Sequence, residues 1–340
     1  GSAAALASPR SRSAQSRLVH RCPRRQPDRA RRRPLDHAHR RGLVHRDLKL
    51  GNICNLKCRI CGSWSSSQFA TEELKFVKDK KASFHYQMLK DGAWPREKQN
   101  FWDEIDLCLD DIRYIEFTGG EPFLIQEHFD MLAGIVQRGI AHQVEIHYNT
   151  NGTQYPERGE AIWRHFRKVE IAFSIDDVES RFEYQRSGAK WREVEDNLYR
   201  FRALRRSSKN IQLQLCCTIS IWNVVYFDEI AAWATLFPWD FVYWNYLHDS
   251  PVWCIANVVE PVKEKIAYYL RHKLIVHQHA EDLEKIIAFM FSREGWIGVG
   301  GGGTLTYEIN RLDKLRDQRL QDVAPALARI INYQGPYDYS

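Results

Sequence analysis

The chain has 340 residues, of which 44% are hydrophobic, enough to bury the core of one large α/β domain. No apolar run approaches the roughly eighteen residues of a membrane span. The net charge of +6 comes from residues 1–46, which hold thirteen arginines and two acidic residues, so the remainder carries about −5. This excludes an overall basic, nucleic-acid-binding domain.

Residues 1–46 are predicted to form a separate tail that is rich in Arg, Ser and Pro and has almost no periodic apolar pattern. We expect it to be disordered or foreign to the fold. Its start at Gly1-Ser2 without Met indicates a cloning scar. A basic arm for RNA or an acidic partner, or a transit peptide, stays open as an alternative.

From residue 47 to residue 250, short apolar strands alternate with amphipathic helices, the pattern of parallel βαβ units. The predicted strands are Asp47–Ile53, Tyr114–Thr118, Val144–Tyr148, Val169–Ile175, Ile211–Ile219 and Asp240–Tyr246. The predicted helices are Thr71–Leu89, Phe101–Leu109, His128–Arg138, Glu157–Arg167, Trp191–Arg205, Phe227–Leu236, Val262–Lys273, His279–Phe291 and Tyr307–Gln318. Six units are fewer than the eight of a closed barrel.

The cysteine loop, residues 50–62, follows the first predicted strand and carries Cys54, Cys58 and Cys61 in the pattern C-x3-C-x2-C. Soft thiolates suit iron–sulfur clusters, and three ligands leave one iron of a cubane with an open position. A zinc site without a nearby fourth ligand, or three unrelated cysteines, stay open as alternatives.

The segment CNLKCRIC of this loop resembles the cluster loop of the radical S-adenosylmethionine (SAM) superfamily. The resemblance implies a [4Fe–4S] cluster whose fourth iron binds the amino and carboxylate groups of SAM. It also implies an open (β/α)6 partial TIM-like barrel, and an electron donor of the flavodoxin or ferredoxin type.

Two polar motifs follow predicted strands two and four. In barrels of parallel strands the reactive groups lie at the carboxyl-terminal ends of the strands. The resemblance implies that the motif Gly119-Gly120-Glu121 holds the SAM amino group, since glycines let the backbone approach a ligand closely. It implies that Ser174 and Asp176 hydrogen-bond the ribose.

Arg186 resembles the family arginine that pairs with the SAM carboxylate, and a guanidinium suits that geometry. Asn149 and Asn151 end predicted strand three and are expected to face SAM or substrate, although Asn-Gly is also a turn signal.

Other chemically distinctive residues are interpreted as structural. Cys216 and Cys217 are neighbours in a strand, so at most one points into the barrel, and both are predicted to be core residues. The aromatic residues near strand six are predicted to pack, with the lining of a substrate pocket as the alternative; they are Trp239, Tyr243, Trp244 and Tyr246. His45, His128 and His147 receive no metal role. The glycine run Gly300–Gly303 is predicted to be a flexible connector.

Residues 251–340 are predicted to form a mainly helical extension. Its segment LDKLRDQRLQDVAPAL, residues 312–327, resembles the closing part of radical SAM proteins with a SPASM or twitch extension. Those extensions hold auxiliary clusters on further cysteines. Cys254 is the only cysteine after Cys217, so the sequence predicts no auxiliary cluster.

The sequence therefore predicts a radical SAM enzyme with one cluster, acting on a peptide or protein side chain, or next on a small metabolite or sugar nucleotide. The few cysteines show no disulfide-scaffold spacing, which favours a cytoplasmic location without a membrane association. The alternative is an accessory protein on the same scaffold, whose basic tail recruits nucleic acid or an acidic partner.

Overall fold

A computed structural model describes residues 44–92, 98–107, 109–248, 250–274, 279–292 and 302–335. Its centre is one sheet of six parallel strands arranged in chain order. The strands are β1 (Val44–Lys49), β2 (Ile112–Thr118), β3 (Glu145–Thr150), β4 (Lys168–Ser174), β5 (Ile211–Ile219) and β6 (Phe241–Tyr246). Because β1 and β6 form the two edges, the sheet is open, which confirms the predicted α/β partial barrel.

Helices connect the strands and then continue the chain after β6. Those before β6 are α1 (Ser67–Glu73), α2 (Phe84–Asp91), α3 (Gln99–Asp106), α4 (Glu127–Gln137), α5 (Glu157–Trp163), α6 (Glu179–Gln185), α7 (Trp191–Ser207) and α8 (Phe227–Leu236). Those after it are α9 (Glu260–Leu274), α10 (Ala280–Phe291), α11 (Gly302–Arg316), α12 (Leu320–Val323) and α13 (Pro325–Ile330). The predicted helical extension is therefore present over its described residues.

The single helix predicted over Thr71–Leu89 is wrong, because the chain forms the two helices α1 and α2 with an irregular segment between them. In that segment the Asp79 carboxylate accepts the backbone N–H of Ala82, and the N-cap hydroxyl of Ser83 accepts that of Tyr86. Such local side-chain bonds compete with helical hydrogen bonding and start a new helix instead.

The first strand and the glycine run also differ from the prediction. The first strand was expected at Asp47–Ile53 but is β1, because Gly51 adopts a left-handed φ of 73° and ends the extended chain. Three residues assigned to the tail thus lie in the sheet, whereas residues 1–43 lie outside the described part. The predicted connector Gly300–Gly303 is wrong at Gly302 and Gly303, which begin α11; its first two glycines lie outside the described residues.

The sheet has one apolar and one polar face. Ile115, Ile146 and Ile171 are fully buried against the helices. The residues that follow Ile115 and Ile146 in the chain, Glu116 and His147, are register partners on the opposite face. That concave face is polar, as expected for the inside of an open barrel.

Two apolar clusters hold the molecule together. One packs α4, α5 and α7 on the first strands, with Phe129 and Trp163 fully buried in it. The other joins β5 and α8 to the helices after β6, through residues such as Ile266 and Leu327. The C-terminal helices are therefore part of the folded core around β5. No helix of the described residues is long and apolar enough to cross a membrane.

His128 makes the first cluster sensitive to acid. Its buried ring donates from Nδ1 to the Ile125 carbonyl, 2.5 Å away, and accepts at Nε2 from the Tyr148 hydroxyl, 3.1 Å away. This pattern requires a neutral ring, and burial lowers the pKa of His128 from 6.5 to about 3. Below pH 6.5 the unfolded chain therefore binds a proton that the folded chain does not, so stability falls as pH falls.

We expect this histidine to remove about 2 kcal/mol of unfolding free energy between pH 7 and roughly pH 5. Chemical denaturation at both pH values checks this. A His128→Gln variant has no titrating ring, so its stability should depend less on pH over the same interval. An equal pH dependence in both proteins would contradict the buried neutral histidine.

Candidate active site

The cysteine loop begins directly after β1 and is fastened by buried polar groups. The side-chain amide of Asn52 donates to the Ser63 carbonyl at 2.7 Å and to the Met88 carbonyl at 3.0 Å. Asn52 is buried, so both bonds are shielded from water. The loop is thereby tied to its own exit and to α2.

The three predicted ligand thiols lie beside one another. The Cys61 thiol donates to Cys58, and this bond lowers the pKa of Cys58 to about 7 despite its burial. The same bond and burial raise the pKa of Cys61 well above its usual value, while burial raises that of Cys54 to about 12. This bond places the Cys58 and Cys61 thiols side by side in the loop.

Among the described residues, no group of three or more His, Cys, Asp or Glu side chains could hold a single metal ion. The three cysteines of a cubane bind three separate irons, so their sulfurs need not converge on one point.

Arg186, predicted to bind the SAM carboxylate, and Asp176, predicted to bind the ribose, form a buried ion pair with each other at 2.7 Å. The other Asp176 oxygen accepts the backbone N–H of Thr218 at 2.9 Å. Arg186 also donates to the Cys58 sulfur, 3.8 Å away, while its Nε lies buried with no acceptor among the described residues. The guanidinium thus has a spare donor close to the cysteine loop.

The two glycines after β2 lie against the backbone of the cysteine loop. The Gly120 N–H donates to the Gly51 carbonyl at 3.0 Å, and the Glu121 N–H donates to the Ile53 carbonyl at 2.8 Å. A Cβ on Gly120 would lie 2.1 Å from the Ile53 carbonyl oxygen, so no side chain fits there. Gly119 has a φ of 116°, a conformation open to glycine.

Glu121 supports the neighbouring strand end. Its buried carboxylate accepts the Thr150 hydroxyl at 2.8 Å, the Asn151 N–H at 2.8 Å and the Phe123 N–H at 3.2 Å. Burial raises the pKa of Glu121 to about 7, and these three hydrogen bonds oppose the rise. The carboxylate thus holds the ends of β2 and β3 together, while no described residue donates to the carbonyl oxygens of Gly119 and Gly120.

The two asparagines at the end of β3 have different surroundings. The Asn151 amide donates to the Asn55 side chain at 3.0 Å and to the Cys54 sulfur at 3.8 Å. The Asn149 amide donates to Glu116, 3.3 Å away, on the concave face. Asn151 thus contacts the cysteine loop, and Asn149 lies further inside the barrel.

Ser174 ends β4 in register with Cys216, and Cys216 is in register with Tyr243 of β6. All three lie on the concave face. Cys217 is fully buried in the second apolar cluster, as predicted. The core interpretation is wrong for Cys216, which is half-buried on the concave face, and the packing interpretation is wrong for Tyr243, which is exposed. Neighbouring strand residues face opposite sides, but the sequence did not show which of them faces the lumen.

The residues present fit the cluster and SAM that the sequence resemblance implies. Three adjacent thiols supply soft ligands. Among the described residues nothing donates to the carbonyls of Gly119 and Gly120, which leaves them free to accept from an ammonium group, and the Nε of Arg186 has no acceptor there and suits an anion.

A buried charge cluster, the C-terminal clamp (Arg59, Tyr184, Asp313 and Gln318), was missed by sequence reasoning. Arg59 lies between Cys58 and Cys61 and donates to Asp313 at 2.7 Å and to Gln318 at 2.9 Å. Its guanidinium stacks on the Tyr184 ring, 3.6 Å from the centroid. The side chains of Arg59 and Asp313 are both 0% exposed.

A second contact joins the same elements. Arg316 of α11 forms an ion pair with Glu72 of α1 at 2.6 Å and donates to the Ser187 hydroxyl at 3.0 Å. Glu72 also binds Lys57 of the cysteine loop at 2.6 Å. The C-terminal extension therefore holds the cysteine loop from the side opposite the strands. The Asp313 and Arg316 pairings span more than 240 residues of chain, and no local pattern reveals them.

Solved structures with some likeness to this chain include three proteins of low sequence identity. AdoMet-bound anSMEcpe is 18% identical, with 60% of this chain and 51% of that chain covered and a TM-score of 0.44. Streptococcus suis SuiB bound to its precursor peptide SuiA is 11% identical, with 68% and 46% covered and a TM-score of 0.42. The radical SAM methyltransferase TsrM of Kitasatospora setae, with cobalamin and a [4Fe-4S] cluster bound, is 15% identical, with 44% and 29% covered and a TM-score of 0.33. The chain spans about half the length of anSMEcpe.

No curated protein matches the chain. The sequence model of the radical SAM superfamily matches residues 48–220, just over half of the chain. This match includes the cysteine loop, the glycine motif after β2 and strands β2–β5. The chain therefore belongs to the radical SAM superfamily.

Proposed function

We propose that this chain is a radical SAM enzyme that holds a [4Fe–4S] cluster on Cys54, Cys58 and Cys61 and binds SAM beside it. When bound and reduced, the cluster supplies one electron for cleavage of SAM to methionine and a 5′-deoxyadenosyl radical, which takes hydrogen from the substrate. The observation that carries the proposal is that the glycine motif and Arg186 both contact the cysteine loop, while no described residue pairs with the Gly119 and Gly120 carbonyls or with the Arg186 Nε.

In this proposal the chain's own groups bind and orient SAM. The carbonyls of Gly119 and Gly120 accept hydrogen bonds from its ammonium group. The Arg186 Nε donates to its carboxylate, while Asp176 holds the guanidinium in position through the ion pair. Ser174, on the concave face, binds the ribose.

In this proposal Glu121 and Asn151 position other groups of the site rather than contacting SAM themselves. Glu121 acts through the backbone, since its oxygens are used by the end of β3, and it keeps the glycine carbonyls in place. Asn151 positions the cysteine loop through Asn55 and Cys54, and Asn149 lies deeper, where it would face substrate.

A peptide or protein side chain is the proposed substrate. The support is the likeness of residues 312–327 to the closing segment of SPASM or twitch proteins, with the polar concave face as the binding surface. A one-electron donor of the flavodoxin or ferredoxin type is part of the same proposal.

The test is anaerobic reconstitution with iron and sulfide, followed by dithionite and SAM. We expect 5′-deoxyadenosine from the wild-type chain and essentially none from Cys58→Ala, together with loss of bound iron. Cys254→Ala is the matched control, because it removes a buried thiol outside the cysteine loop and should keep both iron and product. If the wild-type chain forms no 5′-deoxyadenosine and binds no more iron than Cys58→Ala, the proposal fails.

The alternative, an accessory protein with a basic recruiting tail, depends on residues 1–46. Residues 1–43 lie outside the described part of the chain, and no contact of the described residues favours this alternative.

A further inference from the structure

A cavity of about 280 Å³ lies on the outer side of the cysteine loop. Its walls come from the loop and its exit, the start of α2, the segment after β6 and α11. Cys61 lines it together with Trp64, Phe84, His85 and Arg311. Cys54, Cys58, the glycine motif, Ser174, Asp176 and Arg186 do not. The cavity thus reaches one proposed cluster ligand from the side away from the proposed SAM site.

Trp64 connects the segment next to Cys61 to the protein surface. Its ring lies so close to Gly62 that a Cβ there would be 2.1 Å from the indole. The same residue is 44% exposed, and Phe84 across the cavity is 53% exposed. Exposed aromatic side chains at one place on a surface are typical of protein contact sites. Here one of them, Trp64, contacts Gly62, the residue that follows Cys61.

A basic segment borders the same cavity. The lysine loop, residues 75–83, runs between α1 and α2, and Lys75, Lys78, Lys80 and Lys81 are all exposed. Phe76 near one end contacts the cavity-lining Arg311, 5.1 Å from ring centroid to guanidinium, and the other end leads into Phe84.

The charge of this segment is opposite in sign to that of the chain after residue 46 as a whole. It holds four lysines and one acidic residue, whereas the chain after residue 46 carries about −5 overall. No carboxylate among the described residues forms an ion pair with these four ammonium groups. Unpaired like charges on an exposed segment attract a partner of opposite charge and raise its association rate.

We propose that the lysine loop, with Trp64 and Phe84, is the docking surface for an acidic one-electron carrier protein. This inference rests on the proposed function, which requires one electron per SAM cleaved. The reduced flavin or iron–sulfur group of the carrier loses one electron, the oxidised cluster on the cysteine loop gains it, and no covalent bond changes. An acidic peptide substrate is less suitable here, because the cavity does not include the residues proposed to bind SAM.

Binding of an acidic flavodoxin and an acidic ferredoxin to the reconstituted chain tests the surface. We expect the double variant Lys80→Glu/Lys81→Glu to weaken binding of at least one carrier about tenfold at low ionic strength, with a smaller difference at high salt. The matched control Arg206→Glu/Lys209→Glu makes the same charge change at exposed positions before β5 and should bind as the wild type does.

A kinetic measurement separates docking from electron transfer. Trp64→Ala should slow reduction of the cluster by the reduced carrier, followed by its visible absorbance, while reduction by dithionite stays unchanged. Trp64→Ala and Lys80→Glu/Lys81→Glu should also form 5′-deoxyadenosine normally with dithionite. Absence of that product in the wild-type chain would count against the proposed function, not against the surface.

Three results would overturn the docking surface. The first is binding of neither carrier to the wild-type chain. The second is equal binding by the lysine double variant and its control. The third is preferential binding of a Glu-rich peptide at the lysine loop, with carrier binding unaffected by the lysine substitutions.

Discussion

Asp313→Ala is expected to lower the free energy of unfolding by about 3–5 kcal/mol, because it leaves the Arg59 guanidinium buried without its counter-charge. Asp313 also accepts the Tyr184 hydroxyl at 2.7 Å and the backbone N–H of Leu320 at 2.9 Å. The substitution therefore removes the shared acceptor of Arg59, Tyr184 and Leu320. Burial lowers the pKa of Arg59, and the carboxylate of Asp313 opposes this shift. Chemical denaturation of the wild type and the variant measures the difference.

The matched control is the surface pair Arg138–Asp106. It joins the same residue types at the same 2.7 Å, but its side chains are 31% and 58% exposed. Asp106→Ala should therefore change stability by at most about 1 kcal/mol, since water screens the charges and solvates the remaining arginine. A similar loss in both variants would show that the C-terminal clamp contributes no more than a surface pair.

The double variant Arg59→Met/Asp313→Leu should recover part of the loss. It removes both charges and keeps apolar volume, although the Tyr184 hydroxyl and the Leu320 N–H remain without an acceptor. Bound iron should follow the same order, because Arg59 lies within the cysteine loop. A double variant as unstable as Asp313→Ala would contradict the uncompensated charge as the cause.

Gly120→Ala is expected to reduce 5′-deoxyadenosine formation about 100-fold or more, with dithionite as the reductant. The new Cβ would lie 2.1 Å from the Ile53 oxygen and 2.8 Å from the Asn52 carbonyl carbon, both backbone atoms that cannot rotate away. The cysteine loop and the strand end would have to separate by about an ångström or more, which displaces Cys54 from the glycine carbonyls.

Gly134→Ala controls for the substitution itself. Gly134 lies inside α4, and its added Cβ would make only an ordinary contact of 3.5 Å with the Arg138 side chain. Alanine in a helix interior is more favourable than glycine, so this variant should be at least as stable and fully active. Full activity of Gly120→Ala would show that the glycine motif does not need its close approach to the loop.

Much of the fold follows from local patterns. The strands and helices alternate visibly because each strand is a short apolar run and each helix has one apolar face. Where one long helix was predicted over Thr71–Leu89, short-range polar contacts had replaced the expected pattern. The segment 75–83 has helix-forming residues, but Asp79 and Ser83 cap the chain locally, so it becomes the lysine loop. Propensity alone does not show which of these competing bonds forms.

Parts of the candidate site were equally visible. The cysteine spacing, the glycine motif and the residues ending β3 and β4 could be named from the sequence, because each lies within a few residues along the chain. The contacts between them could not. The Asp176–Arg186 ion pair and the support of β3 by Glu121 depend on how strand ends meet in three dimensions.

The sequence by itself determined the superfamily and the chemistry to be expected, because three thiols within eight residues are close in space in any fold of that loop. Only the tertiary structure decided which polar groups are already paired and which remain unpaired. It showed that the Glu121 carboxylate is already hydrogen-bonded to Thr150, and that the Arg186 Nε has no acceptor among the described residues. It also showed that Arg59 is buried in an ion pair with Asp313 of α11. Pairing and burial depend on how distant parts of the chain pack together, and a local sequence pattern does not reveal that packing.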